Sequence, residues 1–222
     1  IELNEFYFDE ILLVNICLHS FKIENRFLFQ NIKKFNIFYL KYFKFEQIIK
    51  TIWLFLTYSN IESIHLSIDP IQPLTIFNLN SKCFNYDNDF KIAKCLIELN
   101  LNRYAIHRIE LNTFQNFTTL KILNLKNNLI EKISKGTFDN LKSLIELDLS
   151  FNRIDSIDFD SFIDLNTLLY LNLSFNRLNC FSVKILSGLV NLTELNLSSN
   201  KIDNQSKSNL LESFSNLSIL ID

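Results

Sequence analysis

Residue types that usually carry chemistry are present in this 222-residue chain, but not at spacings that would let them react. His19, His65 and His107 stand apart, with no carboxylate at a helical or strand spacing that would build a triad or a metal site. Two glycines, Gly136 and Gly188, are too few for a phosphate-cradling loop or a dinucleotide fingerprint. No G-x-S-x-G elbow is present. The acids Asp158 and Asp160 fall in a turn and read as solvated. Cys17, Cys83, Cys95 and Cys180 contain no C-x-x-C pair and are too scattered for a disulfide framework. Cys83 and Cys95 could meet, although idle thiols are the simpler reading. Nothing calls for a metal, a cofactor or a catalytic residue, so a non-enzymatic chain is expected. What remains is recognition chemistry. Phe151, Phe175 and Tyr170, flanked by Glu146 and Glu194 and joined by Asp148 and Arg103, have the make-up of a protein-binding hot spot.

The elements that must position these residues are set by a repeat of 24 residues. Leu120–Asn128 returns as Leu144–Asn152, Leu168–Asn176 and Leu192–Asn200 in the frame L-x-x-L-x-L-x-x-N. An apolar residue follows two positions after each Asn: Ile130, Ile154, Leu178 and Ile202. Positions 4 to 6 alternate apolar, polar, apolar, which is the period of a half-buried strand. Asn at position 9 ends the strand, and its amide offers both donors and an acceptor. Asn128, Asn152, Asn176 and Asn200 in register predict a ladder that satisfies backbone groups left unpaired by a sharp turn. Six residues before each leading Leu stand Phe90, Phe114, Phe138, Phe162, Leu186 and Leu211. Three residues before it stand Phe117, Leu141, Leu165, Leu189 and Phe214, with the small Ala93 as the exception. These predict a spine that fills the far side of the core.

This frame resembles the leucine-rich repeat family, and within it the typical 24-residue class. Ile133-Ser134-Lys135-Gly136-Thr137-Phe138-Asp139-Asn140-Leu141 and Leu147-Asp148-Leu149-Ser150-Phe151-Asn152 carry the likeness most closely. The resemblance implies an α/β fold: a right-handed solenoid, or horseshoe, with a concave parallel sheet and a mostly irregular convex face. A solenoid of this kind places function on its exposed face rather than in a pocket. The exposed columns follow from the frame. Position 3 reads Ile76, Glu98, Ile122, Glu146, Tyr170, Glu194; position 8 reads Ser81, Arg103, Asn127, Phe151, Phe175, Ser199. Position 5 is a polar column from Asn78 to Asn196 that includes Asp148. L-S-F-N is common in this repeat class, so Phe151 and Phe175 can equally be consensus residues packed on the rim.

The frame holds from residue 96 to 222 and decays before it. Leu96, Leu99 and Leu101 fit, with Tyr104 at the Asn position. Earlier frames are read at Leu74, Thr51, Ile32 and Ile11, with shortened spacings and no Asn. The expected organisation is one continuous solenoid of nine or ten coils: residues 1–95 irregular repeats, residues 96–222 regular ones. A different packed structure over residues 1–70 is the alternative. The chain reads as a piece of a longer protein, cut at both ends.

A net charge of −2 gives no electrostatic reason to expect nucleic acid. The longest apolar run, Thr51 to Ile61, falls short of the roughly 20 residues a membrane-crossing helix needs. Any membrane anchor is expected outside this segment. Of six N-x-S/T sequons, Asn172 and Asn196 lie on the predicted strand, whereas Asn116, Asn191, Asn204 and Asn216 lie off it and are the glycosylation candidates. The resemblance implies a protein ligand and an extracellular or cell-surface receptor or adhesion protein. An intracellular, cytoplasmic scaffold and the sensor segment of a larger signalling receptor are the alternatives.

Overall fold

The computed structural model describes residues 96–222 throughout and, before them, four strands: β1 (Glu10–Val14), β2 (Lys34–Phe38), β3 (Ser63–Leu66) and β4 (Phe77–Leu79). The strands that follow are β5 (Glu98–Asn100), β6 (Ile106–Ile109), β7 (Ile122–Asn124), β8 (Lys132–Ile133), β9 (Glu146–Asp148), β10 (Ser156–Ile157), β11 (Tyr170–Asn172), β12 (Glu194–Asn196) and β13 (Ser218–Leu220). Nine of these form one sheet in the order β1-β2-β3-β5-β7-β9-β11-β12-β13, and every pair in it is parallel.

The register follows the repeat. Leu99, Leu123, Leu147, Leu171, Leu195 and Ile219 stand side by side, so position 4 of one coil lies beside position 4 of the next. The leucines of positions 1, 4 and 6 are buried, except the half-buried Leu192, and the residues at positions 3 and 5 between them are more exposed. After the strand, the peptide N–H of position 6 donates to the carbonyl of position 5 in the next coil, as from Leu125 to Asp148 and from Leu149 to Asn172, both at 2.8 Å.

The convex side is built from turns rather than from helix. Leu141 N–H donates to Phe138 O and Leu144 N–H to Leu141 O, and the same pair of bonds recurs at Phe162–Leu168 and Leu186–Leu192. These turns point the spine inward. Phe114, Phe138 and Phe162 are buried and stacked, with ring centroids 6.1 and 5.8 Å apart. Offset aromatic pairs at that spacing add about 0.5–1.5 kcal/mol beyond burial. Two short helices complete the described convex side: a 3-10 turn at Val183–Leu186 and α1 (Asn204–Ser213). Asp203 caps α1, accepting from Ser206 N–H at 2.9 Å and Ser206 Oγ at 2.8 Å.

Two details depart from the sequence reading. In the last coil Leu210 is fully buried and Leu211 is exposed, so the spine keeps its 24-residue spacing from Leu186. The strand keeps the same spacing, with Ile219 beside Leu195, so this coil has 24 residues and its frame lies one residue earlier than the frame read from Leu211 and Phe214. Toward the N-terminus the coils are longer, not shorter, than expected. Ile11 pairs with Phe35, Phe35 with Ile64, and Ile64 with Leu99. The strand between β2 and β5 is therefore Ser63–Leu66, while the frame at Thr51 lies outside the described residues. The frame read at Leu74 falls on β4, which pairs with β6 in a second, two-stranded sheet. Alternation alone is degenerate here: Ile64 and Leu66 satisfy it as well as Leu54 and Leu56, and no Asn fixes which turn ends the strand.

Candidate functional site

Three neighbouring strands, β9, β11 and β12, build the site. Their register puts Glu146 beside Tyr170 and Tyr170 beside Glu194, and likewise Asp148 beside Asn172 and Asn196. Position 3 is exposed in all three, with Tyr170 at 45 %. Over the backbone of Leu147 and Leu171 these side chains line a shallow depression of about 280 Å³.

The polar column at position 5 has a structural duty as well. Each of its carboxamide or carboxylate Oδ1 atoms accepts the N–H two residues on, from Asn102, Lys126, Ser150, Ser174 and Ser198, at 2.8–3.1 Å. Asn172 and Asn196 also accept the hydroxyls of Ser174 and Ser198, both at 2.7 Å. These oxygens shape the turn and are not free for a ligand in the way the column pattern suggests. Asp148 lines the depression, and its second oxygen is outside this turn bond.

At the far end of the strand, position 8 adopts a left-handed backbone in five successive coils among the described residues: Arg103, Asn127, Phe151, Phe175 and Ser199 have φ between 53° and 66°. Asn tolerates this region and phenylalanine does not. Phe151 and Phe175 are nevertheless 41 % and 48 % exposed, with rings stacked 4.1 Å apart at 10°. Lys126 lies 5.1 Å from the Phe151 ring centroid, a cation–π contact the sequence reading missed. Its signal was present, since Lys126 stands at position 7 one coil before Phe151. No ring contact joins Tyr170 to the phenylalanine pair, so the expected aromatic cluster is two features, at opposite ends of the strand. Arg103 is exposed, two coils from Phe151 with Asn127 between, and lies outside both.

The asparagines beneath this face form a continuous ladder. Asn152 Nδ2 donates to Leu125 O (3.0 Å), Leu149 O (2.9 Å) and Ser150 O (3.3 Å), while its Oδ1 accepts Ile130 N–H (3.1 Å). Asn176 and Asn200 repeat the pattern one coil on each time. Asn128 does the same and also serves Tyr104, whose N–H it accepts at 2.9 Å. Tyr104 fills the space of the missing amide with a fully buried ring, and that burial pushes its phenol well above the usual range.

Comparison with known proteins agrees with this geometry. The leucine rich repeat family profile matches residues 96–154 and 143–202. Residues 96–202 are leucine-rich repeats. Among solved structures, a chain of the Toll–Spatzle complex, described as a molecular hub in Drosophila development and innate immunity, is similar at 19 % identity and a TM-score of 0.57. The likeness covers 77 % of this chain and 20 % of that one, so the chain spans about a fifth of the length of its solved neighbour. At that identity the likeness speaks for the solenoid fold. No curated protein matches the chain.

The convex side of these leucine-rich repeats differs from expectation at its charges. Asp158 and Asp160 are not merely solvated. Lys132 Nζ meets Asp158 at 2.8 Å and Lys135 Nζ meets Asp160 at 3.1 Å, each one coil back. The Lys132 hydrogen bond holds the Asp158 carboxyl below the usual carboxylate range. His107 likewise is not alone: its Nε2 lies 3.4 Å from Glu131. Of the sequon asparagines off the strand, Asn191, Asn204 and Asn216 are exposed and Asn116 is half-buried. Asn191 Nδ2 donates to Asn166 O at 2.6 Å. Cys180 is exposed and unpaired, while Cys83 and Cys95 lie outside the described residues. Among the described residues no group of His, Cys, Asp and Glu could hold a metal ion, and no helix is long and apolar enough to cross a membrane.

Proposed function

We propose that the concave sheet of this leucine-rich-repeat solenoid binds a protein ligand, with Phe151, Phe175, Tyr170, Glu146, Asp148 and Glu194 at the centre of the contact and Arg103 at its edge. The observation that carries this reading is the stacked, exposed Phe151–Phe175 pair, kept in a backbone conformation that disfavours phenylalanine. The repeat itself sets this conformation, since Arg103, Asn127 and Ser199 share it, so what a binding role explains is the choice of two exposed phenylalanines there. The regular ladder makes the surface rigid before the partner arrives, so little ordering entropy is lost on binding.

The setting we infer is an extracellular receptor or adhesion protein. Its support is the 24-residue repeat class, the exposed sequons at Asn191, Asn204 and Asn216, and the structural likeness to a chain of the Toll–Spatzle complex. A cytoplasmic scaffold is the second reading, and the exposed free thiol of Cys180 favours it, because unpaired surface thiols belong to reducing compartments. The test is to screen tetramers of the chain against a library of displayed cell-surface and secreted proteins, beside tetramers of the F151N/F175N variant. Partners retained by both tetramers equally would remove the sheet face from the account.

A further inference from the structure

The fold treats its acids in two different ways. On the convex side Glu131, Asp158 and Asp160 each meet a cationic or protonatable side chain one coil away. On the sheet face Glu146, Asp148 and Glu194 crowd around Tyr170 in three adjacent strands, and among the described residues none of them pairs with a cation. Lys126, two residues beyond β7, is directed at the Phe151 ring instead. Arg153, Arg177 and Lys201 occupy the position just beyond the Asn ladder in successive coils and are exposed. The face therefore runs from an acidic end through an aromatic middle to a basic rim.

We propose that the depression around Tyr170 receives an arginine or lysine side chain of the protein partner. This rests on the reading of the sheet face as the binding surface. The chemistry fits at each wall. Glu146 and Glu194 flank the Tyr170 ring from both sides, so a guanidinium or ammonium laid on that ring has a carboxylate on either hand. Asp148 adds a third acceptor through the oxygen not used by Ser150. The exposed face of the Tyr170 ring can pack the methylene stem. A depression of about 280 Å³ suits one long side chain rather than a whole small ligand. The partner's basic group thus belongs at the strand-start end, and an apolar group beside it belongs on Phe151 and Phe175.

The test uses the 222-residue chain and a phage-displayed library of random linear peptides. Peptides selected on the wild type are synthesised and measured against E146Q/D148N/E194Q and against F151N/F175N. The amide variant keeps the fold, because Asn already performs the turn duty of Asp148 in the other coils. Selected peptides enriched in Arg or Lys, losing tenfold or more affinity on the amide variant and weakening as salt rises, support the proposal. Selection of peptides without basic enrichment, or equal affinity on the amide variant, overturns it. If F151N/F175N weakens binding while the amide variant does not, the face is right and the basic side chain is wrong. If neither variant matters, the face itself is wrong. Self-association of the wild type that the amide variant abolishes gives the depression to a second copy of the chain and also overturns the proposal. A library that yields no binder dependent on these acids counts against it as well.

Discussion

At the scale of single residues, Phe151 and Phe175 set two effects against each other. A left-handed backbone costs a bulky L-residue roughly 1–2 kcal/mol, and the stacked ring pair returns about 0.5–1.5 kcal/mol. The cost falls on both residues and the stacking return comes once, so stability does not explain why two successive coils carry Phe where Asn127 stands one coil earlier. Replacing both by Asn is expected to change unfolding free energy by less than about 1 kcal/mol per site, read by urea denaturation. A large loss would return the pair to a packing role. Asp158 supplies a pH test. Its folded carboxyl is held below the ordinary range by Lys132, so its contribution is present above the unfolded carboxylate range near about 4 and fades as pH falls through the folded value. D158N should lower Tm slightly near neutrality and not at all in acid. The effect is small because the ion pair is exposed. A Tm difference that persists undiminished in acid would contradict the assignment.

At the scale of elements, the Asn ladder and the convex turns decide how closely coils stack. Asn152→Ala leaves the buried Ile130 N–H without its partner and takes one of two ladder donors from Leu125 O and from Leu149 O. With one orphaned donor and two weakened carbonyl contacts, a loss of about 1–3 kcal/mol is expected in chemical denaturation. A loss below about 1 kcal/mol would mean the ladder is incidental. Gly188 offers an independent test of coil spacing. A Cβ there would meet Ile163 Cα at 2.5 Å and Phe162 O at 2.6 Å, all backbone that cannot swing aside. Gly188→Ala should destabilise by about 1–3 kcal/mol or more, and a neutral effect would show the coils to be loosely packed. Gly136 differs, since its φ of 83° meets a conformational demand that Asn112 and Asp160 also meet in their coils.

What could be read from sequence at this scale tracks the asparagines. From Leu96 onward the Leu frame and the Asn together fix strand, turn and register. Where Asn is missing, Ile64–Leu66 and Leu54–Leu56 look alike, and only pairing separates them. The site was legible as columns: Glu146, Tyr170 and Glu194 are adjacent because they share position 3. What the columns hid is that the strand separates position 3 from position 8, and that the position 5 oxygens are already engaged by their own turns. Inter-coil pairs such as Lys132–Asp158 join side chains at unequal positions of neighbouring coils, so no column displays them.

At the scale of the molecule, a parallel sheet of nine strands offers a broad preformed surface, and only a few of its residues depart from what the repeat needs for folding. Those departures gather in β9, β11 and β12 and in the turns after them. The convex side carries exposed apolar residues, among them Phe159 at 56 %, which has Lys135 and Val183, and no second ring, at the same position of the neighbouring coils. Phe159 is therefore the natural control. The measurement that bears most directly on the account is the affinity of one partner from the displayed-protein screen for three forms of the chain: wild type, F151N/F175N and F159S, all shown to be folded. The account predicts a loss of at least tenfold for F151N/F175N and none for F159S. Unchanged affinity for F151N/F175N, or a loss confined to F159S, would move the binding surface off the concave sheet and contradict it.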